Sequence, residues 1–133
     1  MKKLAVLFWA IILLAIACNK TDPADEFSNS LKLGTGLSAT NSFVLTGEGT
    51  VFQSGVPIYF RLESKDDMAG SAVRINVKQV GSATTETHDF PSLQSYGHIY
   101  LSSFLVLSPG DYIATGILID GDKTIASINF TVQ

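Results

Sequence analysis

The chain has 133 residues, 46% of them hydrophobic, with nine Lys or Arg against twelve Asp or Glu and a formal net charge of −3. That length admits one domain, burying roughly two-thirds of the surface its unfolded chain exposes, and leaves no room for a second. No basic cluster interrupts the mild acidity, which argues against a nucleic-acid partner.

The first segment is built in three parts. Lys2 and Lys3 open it, an uncharged run follows from Leu4 to Ile16, and small Ala17 stands just before Cys18. This is the layout of a secretory signal peptide over residues 1–17. The run from Leu4 to Ala17 has 14 residues, whereas a helix needs about 20 apolar residues to cross the hydrocarbon core. Trp9, the only tryptophan, falls inside it and belongs to no core. Cys18 is the only cysteine, so it has no partner within the chain for a disulfide.

The string "LAIAC" resembles the lipobox of bacterial lipoproteins, with Ala15 where leucine is commonest. The resemblance implies a diacylglyceryl group on the Cys18 sulfur, cleavage before it, and usually acylation of the new amino group. One acyl chain binds a membrane marginally, at ~0.8 kcal/mol per buried CH₂, and two or more hold stably. Asn19 stands where an Asp is the usual inner-membrane retention signal in that family, which implies the outer membrane. Lys20 followed by Asp22, Asp25 and Glu26 resembles, at loose spacing, the export signal of Bacteroidota surface lipoproteins. Periplasmic face and cell surface both stay open.

Residues 18–30 read as the lipidated cysteine and a polar, acidic tether, "NKTDPADEFSNS". Fully extended, its twelve residues after Cys18 span up to ~40 Å. Losing Lys2 and Lys3 with the signal peptide leaves seven Lys or Arg against twelve Asp or Glu, a net charge of −5.

Residues 31–133 are expected to form one all-β domain. "VPIYFRLES" alternates with period two, Ile58, Phe60 and Leu62 on one face and Tyr59, Arg61 and Glu63 on the other. "AVRINVKQV" does the same with Val73, Ile75 and Val77 inward, and "IASINFTVQ" with Ile128, Phe130 and Val132 inward. Further strands are expected near 41–46, 84–90, 98–107 and 111–119, and "DGDK" at 120–123 reads as a tight hairpin. About seven short strands in some hundred residues predict a two-sheet antiparallel sandwich.

In "LSPGDYIA", Leu107, Pro109-Gly110 and Tyr112 two residues before Ala114 resemble the tyrosine corner of immunoglobulin-like sandwiches. That resemblance, over about residues 41–133, implies that the Tyr112 hydroxyl bonds upstream backbone. It is to the wider Ig-like group, since Ala114 stands where antibody domains carry cysteine.

Few residues in the chain point to chemistry. "GTGLSA" at 34–39 fits a dinucleotide fingerprint by letter, but a strand-like run follows it where a helix is required. His88 and His98 lie ten residues apart, and zinc needs three or four converging ligands. Asp66 with Asp67 and Asp120 with Asp122 fall in predicted turns, where Asp bonds nearby amides. No serine elbow is present. No enzyme activity, metal or cofactor is expected.

One feature is anomalous: apolar residues occupy both faces of two strands. With Ile99, Leu101, Leu105 and Leu107 inward, Tyr100, Phe104 and Val106 point out. With Tyr112, Ala114 and Leu118 inward, Ile113, Ile117 and Ile119 point out. A bulge near Ser102-Ser103 or a covering segment (31–40 or 90–97) explains this, as does a partner surface. The candidate surface is Tyr59, Tyr100, Phe104, Ile117 and Ile119.

The expected role is a non-catalytic, lipid-anchored binding or assembly module of the envelope, partnered by the membrane and by an envelope protein or glycan. Two alternatives remain. An Ig-like proteinase inhibitor would present "SKDDMAGSA" (64–72) or "PSLQSYGH" (91–98), and a glycan binder would use Tyr59, Tyr96 or Tyr100.

Overall fold

The computed structural model describes residues 26–68, 70–92 and 97–133. The expected signal peptide (1–17) and Cys18 lie outside the described residues. Among those described there is no helix, and ten strands follow in order: β1 (Ser30–Gly34), β2 (Gly36–Leu37), β3 (Leu45–Thr46), β4 (Val51–Phe52), β5 (Ile58–Glu63), β6 (Val73–Gln79), β7 (Thr85–Phe90), β8 (Ile99–Phe104), β9 (Gly110–Leu118) and β10 (Lys123–Val132).

They form a small sheet in the order β1-β5-β8, a large one in the order β4-β10-β9-β6-β7, and a two-stranded ribbon of β2 and β3. Neighbours are antiparallel except β4 with β10. The inner faces of both sheets share one core, in which Phe60 of β5 meets Phe90 of β7 at 5.1 Å and Phe104 of β8 meets Phe130 of β10 at 6.1 Å between ring centroids. The architecture is therefore all-β and sandwich-like.

Clean alternation decides the faces where the sequence offers it. Ile58, Phe60, Leu62, Val73 and Ile75 are fully buried and Val77 nearly so, while Tyr59, Arg61 and Glu63 take the other face. In β10, Phe130 and Val132 are buried and Ile128 packs at the edge of the core. The hairpin at 119–122 closes with the Asp122 amide donating to the Ile119 carbonyl, Gly121 and Asp122 taking positive φ.

The expected phase of β8 is reversed. Tyr100, Phe104 and Val106 are buried, and Leu105 and Leu107 are 44% and 74% exposed. Register explains it: Tyr100 stands opposite Leu62 and Phe104 opposite Ile58, both core residues. No face swap occurs at Ser102-Ser103. The register shift lies instead in β10, between Thr124 and Ala126, and turns Ile125 into the core.

The segment before residue 58 also holds more structure than its pattern promises. β1 and β4 were not among the expected strands, and the expected strand at 41–46 contributes only Leu45 and Thr46 to a ladder. Packing starts inside the expected tether, for Phe27 stacks on His98 at 4.2 Å and the Ser28 amide donates to Glu63 Oε1 at 2.8 Å.

Candidate functional site: two unlike poles

Because the strands run up and down, alternate connections gather at opposite ends of the sandwich. The near pole is the one where the chain enters at residues 26–29. It carries 64–72, 119–122 and the described parts of 91–98, tied together by Ser64 N to His98 O, Met68 N to Gly97 O and Ile119 N to Ala72 O. Charge concentrates here in Lys65, Asp66, Asp67, Asp120, Asp122 and Lys123. Lys123 Nζ lies 2.8 Å from Asp66 Oδ2, and that hydrogen bond with its charge attraction holds the Asp66 carboxyl below its ordinary pKa. Among the described residues no group of three His, Cys, Asp or Glu is placed to hold a metal.

The far pole carries 53–57 (QSGVP), 80–84 (VGSAT) and 105–109 (LVLSP). Gly55 N donates to Val106 O and Ser54 Oγ to Leu107 O, while Ser82, Thr84, Ser108 and Tyr112 line one groove. None of the three loops contains an ionisable side chain. Each presents an exposed aliphatic one: Val56 at 48%, Val80 at 62%, and Leu105 and Leu107. Val51 and Ile113 extend the patch onto the outer face of the large sheet, beside a groove of about 560 Å³ that Val80, Asp111 and Asn129 also line. A second groove of about 410 Å³ joins Leu105, Leu107 and Pro57 to His88 and Glu86 of β7. His88 Nε2 sits 3.2 Å from Glu86 Oε1, outside hydrogen-bonding geometry.

Tyr112 holds this pole in shape. Its hydroxyl donates to the Ser108 carbonyl four residues upstream at 2.7 Å, and its ring stacks on Phe130 at 5.5 Å. Tyr112→Phe is expected to destabilise the domain by about 1–2 kcal/mol, the worth of a partly buried hydrogen bond with its acceptor left unmet. Urea denaturation checks it; an unchanged midpoint would mean that water satisfies Ser108 equally well.

The outer face of the small sheet is a third region. The β2–β3 ribbon lies against it, held where Arg61 Nε donates to the Phe43 carbonyl at 3.0 Å and Nη1 meets Glu63 Oε2 at 2.6 Å. Burial raises the Glu63 pKa, but the Ser28 amide and the Arg61 guanidinium outweigh it and hold the carboxyl below its ordinary value.

The expected partner surface requires correction. Tyr100, Phe104 and Ile117 are only 3%, 4% and 8% exposed, and Tyr59 and Ile119 are half-buried. Tyr100 and Phe104 face the core, Tyr59 the opposite side of the same sheet. Ile117 lies between Arg74 and Thr124 of the flanking strands and is itself buried. The five do not converge.

The alternative sites separate likewise. Tyr96 lies outside the described residues, and Tyr59 and Tyr100 share no face. In 64–72, Met68 is buried and the backbone is pinned to Gly97 and His98, unlike a loop that protrudes into a protease cleft. The far pole escaped the sequence reading because no stretch of it is unusual. The signal is that 53–57, 80–84 and 105–109 all lack ionisable side chains, and that these three share one pole shows only once the strand order is known.

Comparison with known proteins supplies no relative: no family model matches the chain, and no curated protein matches it significantly.

Proposed function

We propose that the chain is a bacterial outer-membrane lipoprotein of Bacteroidota type, held by a lipidated Cys18, whose single Ig-like domain binds or assembles at the envelope without catalysis. The observation that carries the reading is "LAIAC", whose cysteine stands nine residues before Phe27, the first of the described side chains packed on the domain. A signal peptide, a cysteine at its end and a short polar link to a folded module are the parts an anchored binding domain needs, and lipid on both the sulfur and the amino group of one cysteine, which gives the stable multi-chain anchor, requires that cysteine to become the N-terminus.

The strand order supports the Ig-like assignment. Three antiparallel strands face a sheet whose last two, β9 and β10, are neighbours, with β6 beyond β9 and β7 at the edge. That is the arrangement of an A-B-E sheet on a G-F-C-C′ sheet, with β4 beside β10 as an A′ strand and the tyrosine corner opening strand F. Ig-like sandwiches serve many roles, so the binding role stands on the poles: the chain arrives at the charged one, and the uncharged one points away from it.

The test is to express the full chain and Cys18→Ser in a Gram-negative host, fractionate membranes, and measure the intact mass of the mature N-terminus. A lipid-sized increment on Cys18, with the mutant lost from the membrane fraction, is the expected result. An unmodified chain still beginning at Met1 in the cytosol would refute the anchor.

A further inference from the structure

We propose that the far pole is a self-pairing surface, at which two copies meet tip to tip through Val56, Val80, Leu105 and Leu107. The exposed aliphatic side chains are unevenly placed. Of the nine large hydrophobic residues that are exposed among the described ones, Leu37, Phe43 and Val44 belong to the β2–β3 ribbon and the segment that joins its strands, and the other six lie at or beside the far pole. Together those six expose on the order of a few hundred Å², the size at which an apolar patch stops being incidental.

Charge selects the occupant. Residues 18–133 carry a net charge of −5, so two copies approaching by charged faces repel. The three far-pole loops hold no ionisable side chain, so they bring no charge of their own into the contact. Two acids flank them and stay at the rim: Asp111 at the start of β9, whose carboxylate accepts from Thr131 Oγ1 at 2.8 Å, and Glu86 of β7, beside Leu105 and Leu107 in their groove and largely exposed to water. A lipid surface fits less well, because interfacial anchoring relies on aromatic and basic side chains and these loops have none. Two such patches together offer several hundred Å², at or below the lower bound of about 1,000 Å² for a specific interface. The dimer is therefore weak and forms where the protein is concentrated.

Geometry gives the pairing a direction. The chain enters each domain at the opposite pole, so tip-to-tip contact sets the two N-termini at the outer ends of the dimer. This consequence rests on the anchor proposed above: with both copies lipidated, the pair bridges two membrane surfaces instead of clustering on one.

Since Cys18 is the only native cysteine, Leu107→Cys adds one thiol at the far pole and Lys65→Cys one at the near pole. A short bis-maleimide applied to the purified full chain in detergent is expected to link Leu107→Cys into homodimers and leave Lys65→Cys monomeric. Adding Val80→Lys and Leu105→Lys to Leu107→Cys is expected to lower the dimer yield about tenfold or more, because each lysine would be buried unpaired, with an unchanged melting temperature. Equal linking at both poles, or yields indifferent to the lysines, would overturn the pairing. Repeating the experiment in Cys18→Ser keeps the two proposals apart: tip pairing persists there, whereas a dimer that vanishes with the lipid was only clustered by its anchor and overturns it. If the chain stays monomeric yet floats with phosphatidylcholine vesicles until the lysines are added, the occupant is a bilayer and self-pairing is wrong.

Discussion

Phe60→Ala is expected to lower the unfolding free energy by about 3–5 kcal/mol. Phe60 is fully buried, and its ring lies 5.1 Å from Phe90, 6.3 Å from Tyr100 and 6.3 Å from Phe104. Phe90 belongs to the large sheet and the other two to the small one, so this ring joins the layers. Truncating it removes apolar burial and leaves a cavity walled by side chains that backbone ladders hold apart. A domain of this size has about 5–15 kcal/mol in total, and the loss corresponds to a melting temperature lower by roughly 15 °C or more. Leu107→Ala is the comparator: 74% exposed, it should stay within about 0.5 kcal/mol of the parent. A Phe60→Ala loss under 1 kcal/mol in urea denaturation would mean that the sheets close over the gap, and that the aromatic cluster is not what joins them.

Phe60 was legible in the sequence for the reason that Tyr100 was not. "IYFRLE" alternates apolar with polar, apart from Tyr59, so only one phase buries the aliphatic residues, and β5 adopts it. "IYLSSFLVL" has large apolar residues in both phases and two serines at its centre, so period two fixes the strand but not its face. The register against β5 resolves it, and that is tertiary information. β1 and β4 were hidden differently: "SLKLG" holds two leucines beside a polar tether, and β4 pairs through two residues. The Tyr112 hydroxyl contact was legible because it is local, its donor and acceptor four residues apart. The far pole was illegible because its patch is assembled from loops up to about fifty residues apart.

Arg61→Met is the second substitution of large expected effect, and its pH dependence identifies the cause. The Arg61 and Glu63 side chains are 20% and 13% exposed, so removing the guanidinium strands a mostly buried carboxylate and deletes the hydrogen bond from Arg61 Nε to the Phe43 carbonyl. A loss of about 1–3 kcal/mol at pH 7 is expected, short of a fully buried pair because water still reaches both groups. Glu63 titrates below its ordinary pKa in the folded chain, so its contribution is present above the ordinary glutamate range and is lost as pH falls through the lowered value. The parent therefore loses this stability on acidification, while Arg61→Met, its depression weakened, has less to lose. The gap between the two in urea denaturation should narrow from pH 7 to pH 3, leaving only the share due to the Phe43 contact. Glu63→Gln should flatten the same pH dependence while retaining the Arg61–Phe43 hydrogen bond. An Arg61→Met penalty equal at both pH values would assign the whole effect to the ribbon and none to the ion pair.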